Sequence, residues 1–131
     1  MTLAFYPLDV CVACHALGHI GTGDMVIVHR VERRDDGLLI RVSCQWGHEE
    51  EIEFPPDHIA LAWRHPEYRE GGWKRQLIES EEGWRKLDDY GSLDFIHAIP
   101  REAIKAFYIA RRDRFPLTNS DVFDVRPYQY R

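Results

Sequence analysis

Three observations predict an α+β fold. Runs of β-branched residues joined by an Asp-Gly reversal occupy the first half, an apolar stripe of helical period marks residues 100–112, and two cysteine-bearing clusters sit where the first half would need a staple. The clusters are Cys11-Val12-Ala13-Cys14 and Cys44-Gln45-Trp46-Gly47-His48. Three thiols and one imidazole are the donors of a closed tetrahedral zinc site. The expected architecture is a single domain over residues 1–131. In it, a zinc-stapled antiparallel β unit (1–54) packs with C-terminal helices in a mostly helical part (55–131) that ends in an extended tail.

Each element has a local reason. Met25–Arg33 is rich in Val and Ile, and Gly37–Ser43 follows it after Arg34-Asp35-Asp36-Gly37, so the two runs read as a β-hairpin with a tight reversal at Asp-Gly. Glu50–Phe54 alternates polar and apolar side chains and reads as a third strand, ended by Pro55-Pro56. Asp57–Arg64 is expected to be a short helix between Pro56 and Pro66. Gly71-Gly72 marks a loop with a turn before Trp73. Ser80–Leu87 reads as a capped helix with acids first and bases later, closed by Gly91. Pro100–Arg112 is the most strongly patterned helix, with Ala103, Ile104, Phe107 and Tyr108 on one stripe and Arg111 and Arg112 at its C-terminal end. Val122–Tyr130 reads as an edge strand or an extended tail, with Pro127 keeping it from a central position.

Composition narrows the function. The chain has 131 residues, 44% of them apolar and 16 aromatic, which is ample for a packed core. A net charge of -5 argues against coating nucleic acid or anionic membrane by bulk electrostatics. The charge is uneven: residues 96–131 carry seven bases and four acids, grouped around Arg101, Lys105, Arg111, Arg112 and Arg114. Nothing approaches the ~18 apolar residues of a membrane span, and Met1–Pro7, with no basic region or apolar core, is not expected to act as a signal peptide. Three cysteines without an export signal read as reduced thiols, so a cytoplasmic location is expected.

A Cys-x-x-Cys in a tight turn faces two sulfurs toward one point, and a second pair on another turn completes the tetrahedron. Residues 8–54, and Ile40–Glu49 in particular, resemble a zinc ribbon, in which two such turns sit at the ends of a hairpin system. The resemblance implies a structural Zn²⁺ held by Cys11, Cys14, Cys44 and His48. His15 stands where ribbons carry glycine, which leaves His15 or His19 as substitutes for His48. Two other patterns compete for the first cluster. Cys11–His15 also satisfies the covalent haem motif, but that leaves Cys44 and His48 without a role, and no βαβ pattern supports a thioredoxin-like use.

A closed site has no open position for substrate, so catalysis would need another centre. Asp57-His58-Ile59 resembles the Asp-His-Ile of HNH nucleases, which implies His58 as general base and Asp57 as metal ligand. Here, however, both clusters precede the triplet, where that family places a cysteine pair after it. The expected function is a non-enzymatic, zinc-binding adaptor or regulatory protein that docks on a protein partner, with a nucleic-acid-handling machine as one candidate. Trp46, Arg111 and Arg112 are the candidate contact residues. The alternatives are a nuclease centred on His58 and direct nucleic-acid binding by the basic C-terminal segment. The acidic middle segment could also mimic nucleic acid.

Overall fold

The computed structural model describes residues 4–34, 37–44, 52–80 and 99–115, with the backbone alone over 32–34 and 37–44. The fold is α+β. Five strands, β1 (Val10–Ala13), β2 (Met25–Arg34), β3 (Gly37–Cys44), β4 (Ile52–Phe54) and β5 (Ile59–Trp63), form one antiparallel sheet in the order β4-β3-β2-β1-β5. Among the described residues, two helices accompany it, α1 (Trp73–Glu79) and α2 (Arg101–Arg114).

The sheet has to curl. β4 and β5 lie at its two edges, four strand spacings or about 19 Å apart if it were flat. The chain joins them through Pro55 and the 3-10 turn Pro56–His58, a path of only about 13 Å. Curling brings Phe54 and Ile59 into one concave core with Tyr6, Cys11, Ala13, Val26, Val28, Tyr68 and Ile78.

The outer face alternates with the inner one. Val10, Val12, Met25 and Ile27 point outward and are buried with Trp63 beneath Ala103 and Phe107 of α2. With both faces covered, Val10–Ala13 and Met25–Val28 are apolar at every position, because neither side of those strands meets water. A register shift between Val28 and Arg30 accommodates His29, which is buried.

The hairpin, the third strand and the C-terminal helix form as the sequence predicts, with α2 starting after Pro100 and running two residues past Arg112. Two expectations are corrected. Asp57–Arg64 is a 3-10 turn followed by strand β5, since the free edge of β1 offers backbone partners that local helix propensity does not outweigh. The tight turn expected over Cys11–Cys14 is strand β1 up to Ala13. The helix expected from Ser80 and the tail 122–130 lie outside the described residues. Among the described residues, no helix is long and apolar enough to cross a membrane.

Candidate docking surface

The most exposed large apolar side chain among the described residues is Trp73, at 59%. Its position is built from the backbone upward. The 3-10 turn Pro66–Tyr68 buries Tyr68 in the concave core and is capped by His65, whose Nδ1 accepts the Glu67 N–H at 3.2 Å. Gly71 adopts φ +81°, and Gly72 passes so close to the turn that a Cβ on it would lie 2.4 Å from the Glu67 carbonyl oxygen. Only glycine fits there. The chain leaves Gly72 as the N-terminal boundary of α1, and Trp73 is the first helical residue.

α1 is anchored by buried Ile78 and turns Trp73, Gln76, Leu77 and Ser80 outward, one helix face without a formal charge. The flanks are held by cations over rings. Lys74 Nζ lies 5.4 Å from the Trp73 ring centre and 5.8 Å from that of Tyr68, and it pairs with Glu67 Oε2 at 3.0 Å. The guanidinium groups of Arg64 and Arg75 both lie over Tyr6, at 4.5 and 5.1 Å. The Tyr6 hydroxyl donates to Glu79, and this bond, with Arg75 beside it, holds the Glu79 carboxyl below its ordinary range. The indole therefore stands in water on a helix whose other sides are tied down. Such pre-organisation lowers the cost of binding.

A second cluster lies where β1 ends. The Cys14 N–H donates to the His58 carbonyl at 2.7 Å, and the His15 and His58 rings are 4.5 Å apart. Nδ1 of His58 is buried and makes no hydrogen bond among the described residues. Asp57 is exposed, with Oδ1 4.0 Å from His58 Nε2, and His19 is exposed in the loop after β1. Arg114 Nε donates to Cys14 Sγ at 2.8 Å, and Arg111 Nε to the Gly23 carbonyl at 3.2 Å. Arg111 thus ties α2 to that loop, while Arg112 faces solvent.

Two of the donors expected to share a zinc ion, Cys11 and Cys14, have described side chains, and these meet different surroundings. Cys11 is fully buried in the concave core, and burial raises its thiol well above the ordinary value. Cys14 lies past the strand end and meets the helix packed on the opposite face. An extended path sets their Cα atoms about 10 Å apart, whereas sulfurs on one zinc sit about 4 Å apart, a geometry that needs a tight turn. The Cα partner of Cys11 is Val26, and the other Cα partner of Val26 is Cys44, so a whole strand separates those two cysteines. Among the described residues, no group of three His, Cys, Asp or Glu side chains is arranged to hold a metal ion. Trp46 and His48 lie outside the described residues.

If Cys11 and Cys14, set on opposite sides of the strand, hold no common ion, stability is expected to be independent of chelation. Dialysis against EDTA should move Tm by less than about 1 °C. One zinc per chain by elemental analysis, with loss of cooperative unfolding on chelation, would reinstate the staple.

No family model, curated protein or solved structure matches this chain. Sequence reasoning missed Trp73. Its signal was available in Gly71-Gly72-Trp73-Lys74-Arg75, where two glycines release the backbone directly before a large aromatic residue.

Proposed function

We propose that the protein is a non-enzymatic adaptor that docks on a protein partner through the outer face of α1, with Trp73 as the anchor and Leu77 beside it. The observation that carries this reading is a 59% exposed indole whose neighbours are held by Gly72, Glu67 and Tyr68. Tryptophan is the side chain most often dominant in binding energy, because it buries a large area with few rotatable bonds. The partner this face suits is an apolar pocket deep enough for an indole. The zinc ion is no part of this reading.

The experiment compares wild-type and Trp73→Ala baits in native extract, then measures the recovered chain, purified, by calorimetry. Trp73→Ala should weaken binding by about thirtyfold or more, in keeping with a loss of at least 2 kcal/mol at an anchor. Trp73→Phe should recover part of it. Both variants should melt as wild type does, since the side chain is exposed. Equal recovery by both baits, or purified binding that ignores Trp73→Ala, overturns the reading. Concentration-dependent sedimentation abolished by Trp73→Ala also overturns it, because the face would then serve self-association.

A further inference from the structure

We propose that the outward face of α2 binds the phosphate backbone of nucleic acid through Arg101, Lys105 and Arg112. α2 carries five bases and two acids. Two of the bases make hydrogen bonds within the chain, half-buried Arg111 to the Gly23 carbonyl and Arg114, itself exposed, to the Cys14 sulfur. The other three are exposed, and none forms an ion pair with a described carboxylate. At 3.6 residues per turn, positions 101, 105 and 112 fall within an arc of about 40° and span about 16 Å along the axis. That arc is roughly opposite the Ala103 and Phe107 side that packs on the sheet. Exposed Ile109 borders the stripe, and the acids Glu102 and Asp113 follow beyond it.

Three exposed cations in a row, without an ion pair to any described carboxylate, suit a ligand with evenly spaced negative charge. The net acidity of the chain is no obstacle. The described residues carry 13 Lys and Arg against 10 Asp and Glu, although the whole chain has 17 against 22. The acidic excess therefore lies in the remaining segments, and the described fold is a net cation. Phosphate contacts of this kind position a protein without reading sequence.

The test is fluorescence anisotropy with a labelled duplex of about 20 base pairs, titrated at several salt concentrations. Neutralising three phosphates predicts a slope of log K against log salt of about -2.7. In the triple variant Arg101→Ala, Lys105→Ala, Arg112→Ala, affinity should fall at least tenfold at low salt and the slope should flatten toward zero. Glu102→Gln with Asp113→Asn should strengthen binding, and this second variant keeps the result readable if the triple variant melts early. No salt-dependent binding, or equal binding by the triple variant, overturns the proposal. Binding of poly-glutamate with the same affinity also overturns it and moves the stripe to an acidic protein partner.

Discussion

Asp9→Ala is expected to remove about 3 to 5 kcal/mol of stability, because it strands a buried guanidinium. Asp9 is fully buried and grips Arg64 with both oxygens, Oδ1 to Nε at 2.9 Å and Oδ2 to Nη2 at 2.8 Å. Oδ2 also accepts the Tyr6 N–H at 2.9 Å, closing a turn in which Leu8 is held at φ +68°. A leucine takes that left-handed conformation at a cost of about 1 to 2 kcal/mol, which the surrounding bonds must offset. Removing the carboxylate releases the turn and leaves Arg64, 16% exposed, without its counter-ion. Thermal unfolding should show Tm lower by roughly 10 to 20 °C. Replacing Asp9 and Arg64 together by apolar residues of similar volume should recover much of the loss, since the penalty is the unpaired charge. A decrease below about 1 kcal/mol for Asp9→Ala would show that the pair is not a structural latch.

Phe107→Ala should cost a similar amount, about 3 to 5 kcal/mol, through a different mechanism. Phe107 is fully buried and is, with Ala103, the buried centre of the α2 face that covers Val10, Val12, Met25 and Ile27, with Ile104 and Tyr108 packed beside them. Truncation leaves a cavity between helix and sheet that a regular strand cannot collapse to fill. The expected sign is faster amide exchange across α2, ahead of the sheet, together with dye binding to the uncovered outer face. Ile109→Ala, on the exposed side of the same helix, should stay within about 0.5 kcal/mol. Unchanged exchange in α2 after Phe107→Ala would mean that Arg111 and Arg114 alone hold the helix down.

The parts of the fold legible in the sequence are those whose pattern is set by nearest neighbours. The hairpin follows from β-branched runs and Asp36-Gly37, and α2 from Pro100 and the stripe through Ala103, Ile104 and Phe107. Strand β1 was hidden by its own motif. Cys-x-x-Cys has the same spacing in a turn and in a strand, and only the pairing of Cys11 with Val26 and Leu61 distinguishes them. Strand β5 was hidden because Ile59-Ala60-Leu61-Ala62-Trp63 contains good helix formers. α1 went unread because Gly71-Gly72 looks like a loop until the approach of Gly72 to the Glu67 carbonyl shows it to be the start of a helix.

By itself the sequence determined local geometry, namely that the chain reverses between Arg34 and Gly37, which residues share a face of α2, and where prolines end an element. Only the tertiary structure decided which side chains are free to act. It folded Cys11 into an apolar interior on the far side of the strand from the helix that meets Cys14, engaged Arg111 with the Gly23 carbonyl and Arg114 with the Cys14 sulfur, and left Trp73, Arg101, Lys105 and Arg112 exposed. The physical reason is that exposure and partnership depend on contacts between residues far apart in the chain, such as Arg114 with Cys14 and Tyr6 with Glu79, and no local spacing encodes them.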